Sequence, residues 1–493
     1  MSRLRVLHVI ERLQRGGPLQ ALIAEKKRSR RPSVITHHIV SLKTADRRAC
    51  DQAAAAGIAG TSAPDSMQLQ NLIAEADIVQ VHFWNSPDIH AFLASGMPPV
   101  RLLLWCHVNG LAPPHIIPKT LLDRSDLVVA TAASTLNLPV FRSADPARVC
   151  LVQGAADFTR ISRIAPVAHE GFYVGYIGTI DFTKLHSAYI PMCAAVNIPA
   201  VHFLLCGKGG ATQELKRQAR ELGILERLEF HDYVDDIKPV LARLDVFGYP
   251  LRENSFATAE LSLQEAMYAG IPPVVFANDG PNQLVTDRKT GRVVRSETEY
   301  VAAIEWLYRN PAKRQLLGRN AARAIRRLTR GSDGQSDAVY ARVMEYSKRS
   351  RVHAIPGPGY TYRTKGIDTQ GAWSFIHSLD GIGDNDFITS LTAADSTQAE
   401  EAELRIARSN ANLNVVLQYR LRHLNDPHLH LWVGLMLFQR GRPALAATEF
   451  NASIALGYDS QRVHRYFENS IKMAKQSHGT LRTQVSDPVI VVS

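Results

Sequence analysis

The chain has 493 residues, 45% of them hydrophobic, which is enough for two or three domains with real cores. Its 57 lysines and arginines against 46 aspartates and glutamates leave a net charge of +11 and favour an anionic partner. No apolar run approaches the roughly 18 residues of a membrane-spanning helix. The five cysteines show neither C-x-x-C nor zinc spacing and read as buried thiols of a reducing compartment. The N-terminus enters a strand pattern without a signal-peptide core, so the expectation is a soluble, cytoplasmic protein.

Arg3–Ile10 (RLRVLHVI) reads as a buried strand, and Gly16-Gly17-Pro18 forms the tight turn into a helix. A glycine pair lets backbone approach a phosphate or sugar closely; it also serves as an ordinary strand-to-helix turn. The helix ends in a basic cluster, Lys26, Lys27, Arg28, Arg30 and Arg31, and a second cluster from Lys313 to Arg330 comes late in the chain. Such helices lie on acidic lipid surfaces, or are solvated faces. No nucleic-acid module accompanies them. Strands Asp77–Phe83 and Arg101–Cys106 end in polar residues. The carboxyl ends of parallel strands face a cleft, which places His82, Trp84, His107 and Asn109 there, although a strand-end histidine is equally often hydrogen-bonded structure. Strands at Leu127–Ala130 and near Val149–Val152 complete a first domain over residues 1–160.

A polar, proline-containing stretch, Arg160–Gly171, is the expected hinge. The strand–helix alternation then restarts with strand Phe172–Ile177, a loop from Gly178 to Lys184, strand Val201–Cys206 and the cluster Gly207-Lys208-Gly209-Gly210. Residues 171–350 thus read as a second doubly wound domain. The glycine cluster lacks dinucleotide or P-loop spacing. Val246–Phe276 (VFGYPLRENSFATAELSLQEAMYAGIPPVVF) is one strand–loop–helix–strand unit whose helix aims its N–H groups into the crevice. Glu265 stands in an otherwise apolar helix segment and calls for a polar partner. Residues 351–395 read as a Pro/Gly-rich linker and irregular segment. Residues 396–480 read as helical, with Trp432, Gly434, Gly441, Ala446 and Phe450 resembling one tetratricopeptide unit or else a nonspecific helical hairpin.

The stretch Leu263-Gln264-Glu265-Ala266-Met267-Tyr268-Ala269-Gly270-Ile271-Pro272-Pro273 resembles the end of the E-x7-E signature of retaining glycosyltransferases with the GT-B fold, glycosyltransferase family 4. The resemblance covers roughly Leu4–Ser350. It implies an α/β fold of two facing Rossmann-like domains, here with a C-terminal α-helical appendage. Glu265 matches the second glutamate, which in the family holds the donor ribose, whereas the first glutamate's position is Ala257. Lys184 matches a lysine that neutralises the donor diphosphate, and Thr179 stands where the family has an arginine; Lys208 or Arg252 could replace that charge. His107 matches the histidine near the reacting centre.

The expected catalytic set is His107, Lys184 and Glu265 by this resemblance, with Glu260 as the neighbour that stands in for the missing glutamate. The donor site is Gly16, Gly17, Thr179, Lys184, Gly207, Val234, Thr258 and Glu265, and the acceptor side is His82, Trp84, His107 and Asn109. Glu260 either orients the sugar or is a first-turn carboxylate favoured by the helix dipole; Thr258, with Ser255 or Asn254 as alternatives, is the expected N-cap. The implied activity is hexosyl transfer from a nucleotide-diphosphate sugar to a saccharide or lipid-linked acceptor, with no metal or other cofactor. The alternatives are a non-catalytic nucleotide-sugar-binding or scaffold protein, a nucleotide-sugar epimerase of the same build, and a glycogen-type synthase. Anionic membrane, a protein partner or self-association through the C-terminal helices complete the expected partners.

Overall fold

The computed structural model describes residues 3–162, 164–330, 333–351, 363–364, 366–380, 382–393, 396–409 and 413–481. The described residues form two compact units. One takes those of Met1–Trp84, Gly96–Ala112 and Leu121–Val352; the other takes those of Asn85–Ser95, Pro113–Thr120 and His353–Ser493.

The first unit has two lobes. In the first lobe the strands are β1 (Leu4–Ile10), β2 (Ile35–Ser41), β3 (Ala59–Ser62), β4 (Ile78–Phe83), β5 (Met97–Val100), β6 (Leu102–Cys106), β7 (Leu127–Ala130) and β8 (Val149–Leu151). Runs such as LLLWC and LVVA are apolar on both faces, the pattern of a parallel sheet covered on both sides. Seven strands form that sheet in the order β3-β2-β1-β4-β6-β7-β8, so the winding reverses between β1 and β4. The second lobe repeats the plan with β9 (Phe172–Ile177), β10 (Val201–Cys206), β11 (Leu228–His231), β12 (Val246–Tyr249), β13 (Pro273–Phe276) and β14 (Arg292–Val294). Their order is β11-β10-β9-β12-β13-β14, reversing between β9 and β12.

The chain crosses between lobes earlier than its composition suggests. Val152 lies in the first lobe's core, whereas Ala155, Ala156, Phe158 and Ile161 lie in the second's. The crossing is therefore Gln153-Gly154, and the exposed run along the second lobe is only residues 165–171. Burying Phe158 and Ile161, each worth about 1.5–3 kcal/mol, fixes that boundary. The chain also returns. Helix Gln335–Met344 places Val339, Tyr340 and Val343 in the first lobe's core, and β15 (Arg349–Arg351) pairs antiparallel with β5. Residues 335–351, assigned by sequence to the second domain, thus pack on the first.

Besides helix Pro87–Ala94, the second unit contains seven helices among the described residues, from Gln370–His377 to Gln461–Leu481. The stretch 351–395 is not simply a linker: outside 352–362, 365, 381 and 394–395, which lie beyond the described residues, it holds helices Gln370–His377 and Asp384–Thr392. These form because Trp373, Phe375, Ile376 and Phe387 are buried in the unit's core. Helices Pro427–Gln439 and Pro443–Ala455 interlock where Gly434 meets the Phe450 ring; a Cβ at Gly434 would lie 2.6 Å from it. Ile406 and Val463 from the flanking helices complete that core. Asn85 is built into the same unit, donating to Ser378 Oγ at 3.0 Å and accepting from the Tyr419 hydroxyl at 3.1 Å.

Candidate active site

The two points of strand reversal open on one cleft of about 950 Å³. From the second lobe, the helix Leu261–Tyr268 enters it N-terminus first. Glu265 lies in the second turn and is only 7% exposed. Arg160 Nε is 3.7 Å from its Oε1. Burial pushes the Glu265 carboxyl up to about 7, while Arg160 pulls it down and Asp157 pushes it further up.

Glu260 is the N-cap of this helix, in place of Thr258, Ser255 or Asn254, and caps with its backbone alone. Its φ of +45° is a left-handed conformation that costs a non-glycine residue about 1–3 kcal/mol. The turn directs the carboxylate inward. Oε2 accepts from the Tyr249 hydroxyl at 2.6 Å and lies 3.5 Å from Lys184 Nζ, while Oε1 is buried without a hydrogen-bond partner. Gly280 makes room for it, since a Cβ there would stand 2.8 Å from Oε1. Glu260 thus lines the cleft with its carboxylate engaged by Tyr249 and Lys184, and is no surface dipole partner. Ala257 lines the cleft.

Lys184 sits in a turn. Asp181 shapes the turn, its carboxylate accepting from Thr183 N at 2.8 Å and its carbonyl from Lys184 N at 3.0 Å. The ammonium lies 5.3 Å from the centre of the Tyr249 ring. Thr179, Lys208, Val234 and Thr258 line the cleft, with the Thr258 hydroxyl accepting from Thr131 Oγ1 at 2.9 Å. Arg252 does not line it and points to the Phe182 carbonyl at 3.4 Å. Gly207 lines the cleft for a packing reason: its φ is +147° and an added Cβ would fall 1.8 Å from the Gly178 carbonyl oxygen.

From the first lobe, Gly16 and Gly17 open the helix Gly17–Arg28, and Leu261 stands 3.9 Å from where a Gly17 Cβ would be. Two helix N-termini therefore meet in the cleft, a favourable setting for an anion. His107 and Trp84 stack there at 4.3 Å with their planes 10° apart. The other two expected acceptor-side residues are elsewhere. His82 is buried in the sheet between His8 and His107. Asn109 is buried against the second lobe, donating from Nδ2 to the Ser255 carbonyl at 2.7 Å and from its backbone to the Phe256 carbonyl at 3.1 Å.

Sequence reading missed several cleft residues. Arg12, Arg15, Asp157, Arg160 and Tyr233 all line it. Arg12 and Arg15 follow β1, so their place at a strand's carboxyl end was the available signal. Gln264 was also overlooked. It donates to the Gly154 carbonyl at 2.8 Å and the Ala259 carbonyl at 2.6 Å, and accepts from Ala156 N at 3.1 Å, pinning the crossing segment. The first basic cluster is largely engaged inside the protein. Lys26 donates to the Ala56 and Gly57 carbonyls, Lys27 pairs with Asp157 at 2.6 Å, and Arg28 donates to the Ala155 and Ala156 carbonyls. In the second cluster Arg314 pairs with Asp245 at 3.1 Å and Arg326 lies over the Tyr268 ring.

Residues 157–324 match the family model described as Glycosyl transferases group 1. The lipopolysaccharide core biosynthesis glycosyltransferase LpsE of Rhizobium meliloti (strain 1021) is 30% identical over 101 residues, 20% of this chain and 29% of that protein. The chain thus spans less than a third of the curated relative it matches. Among solved structures, Anabaena HepE in complex with UDP and glucose superposes with a TM-score of 0.56 at 18% identity, covering 69% of this chain and 99% of that one. A glycosyltransferase from Rickettsia africae ESF-5 superposes with a TM-score of 0.55 at 12% identity, covering 70% and 100%. The fold is that of the GT-B glycosyltransferases, two Rossmann-like lobes, here with a C-terminal helical region.

Proposed function

We propose that this chain is a retaining glycosyltransferase that moves a hexosyl group from a nucleotide-diphosphate sugar to a saccharide or lipid-linked acceptor, in polysaccharide or glycolipid synthesis. The observation that carries this reading is the convergence of Lys184, Glu265 and two helix N-termini in one cleft between two points of strand reversal. Glu265 takes the ribose hydroxyls, and Lys184 with the helix ends takes the diphosphate. In transfer the bond from the anomeric carbon to the diphosphate oxygen breaks, the acceptor oxygen attacks from the same face, and its proton passes to the departing phosphate. The protein's task is to stabilise that phosphate and exclude water. No cofactor beyond the donor takes part in this scheme.

The match to the group 1 model and the UDP bound by Anabaena HepE support a nucleotide-sugar donor. Work at a cytoplasmic membrane face, through Arg30, Arg31 and the arginines of helix Pro311–Arg330, belongs to the same reading, as does a partner for the tetratricopeptide-like helices. Incubation with UDP-glucose and other nucleotide sugars, plus candidate saccharide acceptors, tests it by release of nucleoside diphosphate and by NMR of the new anomeric linkage. An inverted linkage would end the retaining assignment. A second reading, a protein that binds nucleotide sugars without transfer, is favoured by one observation: Ala257 leaves the first-glutamate position empty of a carboxylate while Glu260 is engaged with Tyr249 and Lys184. Binding of UDP-glucose with no turnover on any acceptor would select it.

A further inference from the structure

A line of four histidines runs from the cleft across the first lobe's sheet, and the chemistry above uses only the first of them. His107 Nε2 meets His82 Nδ1 at 2.8 Å, His82 Nε2 meets His8 Nδ1 at 3.1 Å, and His8 Nε2 meets His37 Nδ1 at 2.9 Å. They come from the end of β6 and from β4, β1 and β2, which are neighbours in the sheet. Burial makes charged imidazoles costly and holds all four below the usual histidine range, His82 and His37 at about 4. The other charged or titratable groups bearing on the line are His38 beside His8, and Lys26 and Asp337 beside His37.

A neutral imidazole has one N–H and one lone pair. In a line joined Nε2 to Nδ1, only two arrangements satisfy every link: all four rings protonated on Nε2, or all four on Nδ1. A side contact selects between them. The Tyr340 hydroxyl donates to Gln80 Oε1 at 2.9 Å, which turns the Gln80 amide nitrogen toward His82 Nε2 at 3.4 Å. A donor there meets a lone pair on His82 Nε2, so the His82 proton is on Nδ1. That proton is donated to His107 Nε2, which leaves the His107 proton on Nδ1.

We propose that His8, Gln80, His82 and Tyr340 are positioning residues that hold His107 as its neutral Nδ1–H tautomer, a fixed hydrogen-bond donor to an oxygen of the bound nucleotide sugar. This inference rests on the cleft being the donor site, as proposed above. Donors in series polarise one another, so the last N–H is a stronger donor than that of an isolated ring. Being neutral, it brings no desolvated charge into the cleft. Trp84 stacked on the ring holds its plane. A ring fixed this way donates and takes no proton from an acceptor hydroxyl, so His107 is no general base.

Nitrogen-15 NMR of the full chain, labelled in its histidine rings, reads each tautomer directly, with His107→Gln and His82→Gln identifying the signals. Nδ1–H is expected for His8, His82 and His107 in the unliganded protein. His107 protonated on Nε2, or exchanging between forms, overturns the proposal. Tyr340→Phe keeps the ring's packing and removes the hydroxyl that orients Gln80. His82 and His107 should then become tautomer mixtures. Release of UDP from UDP-glucose should fall roughly three- to tenfold in kcat, with KM changed by less than about twofold. Tautomers unmoved by Tyr340→Phe would remove Gln80 and Tyr340 from the assignment and overturn it. The expected tautomers in a protein that does not bind UDP-glucose would instead count against the donor-site reading.

Discussion

The second lobe presents a lysine and carboxylates to the cleft, and the first presents neutral rings and backbone beside the rim arginines Arg12 and Arg15. Lys184, Glu260, Glu265 and Arg160 lie on one side; Trp84, His107 and the Gly16-Gly17 turn lie opposite. A donor whose diphosphate and ribose must be gripped needs ionic partners with fixed positions. A reacting centre where charge shifts during transfer is better served by oriented dipoles that need no reorganisation. The contrast also separates two kinds of fragility: a charged grip fails when one ion loses its counter-ion, and a dipole array fails when its orientation is lost.

The largest effect should come from Glu265. Glu265→Gln is expected to weaken UDP binding tenfold or more by calorimetry, since two charge-assisted hydrogen bonds are each worth roughly 1.5–3 kcal/mol. The same group makes binding pH-dependent: with its carboxyl pushed up to about 7, UDP affinity should rise as pH climbs through 7 and level off above. Its effect on stability has the opposite sign. Between pH 4.5 and about 7 the folded state holds more protons than the unfolded one, so stability falls as pH rises across that window, by up to about 3 kcal/mol. Glu265→Gln should therefore have the higher Tm at pH 8 while binding UDP worse. A variant that loses stability at pH 8 would refute the burial account.

Lys184→Ala should come next. Turnover is expected to fall more than KM rises, because negative charge on the diphosphate grows in the transition state. It also strands Glu260, whose side chain is 1% exposed, and should cost on the order of 3 kcal/mol in urea unfolding. If stability is unchanged, the 3.5 Å pair is not what holds Glu260 in its left-handed turn. Gln264→Leu loses bonds to Gly154, Ala156 and Ala259 and should cost roughly 2 kcal/mol while raising KM for the sugar nucleotide. An unaltered KM would mean that the crossing segment does not govern the cleft. The smallest effect is expected at Lys26 and Lys27. Replacing both with alanine should leave binding to anionic vesicles within about twofold of the parent chain, because both ammonium groups already have protein partners. A steep loss, reversed by salt, would return this cluster to the membrane account.

Much of the second lobe was legible because its function lies in one local unit: strand, loop, helix and strand in 31 consecutive residues of sequence from Val246 to Phe276. Glu265 follows from that pattern. Arg160 does not, because its partner lies over a hundred residues away and the polar run around it has the composition of a hinge. Glu260 was visible as a first-turn glutamate, but its left-handed backbone was not, since sequence patterns place glycine or asparagine in that region. In the first lobe, strand ends pointed to Trp84 and His107, which line the cleft. They misplaced His82, because whether a strand-end ring faces ligand or neighbour depends on which strand lies alongside. The histidines on β1 and β2 read as isolated letters until the sheet order set them in a row.

The return of the chain at residues 335–351 has a consequence for synthesis. The second lobe is, in topology, an insertion into the first, whose core is completed only by Val339, Tyr340 and Val343. Asp126, buried beside β6 and accepting there from Leu102 N, has Arg349 and Arg351 as its cationic partners. A nascent chain that has emerged as far as residue 330 carries a complete second lobe and an unfinished first one, an inversion of the usual N-terminal-first order. Within this unit the second lobe is expected to fold first, and the amino-terminal sheet to become protease-resistant after it. Limited proteolysis of ribosome-arrested chains of increasing length would show protection of residues 172–330 before that of residues 3–150; the reverse order would show that the first sheet closes without its final helix.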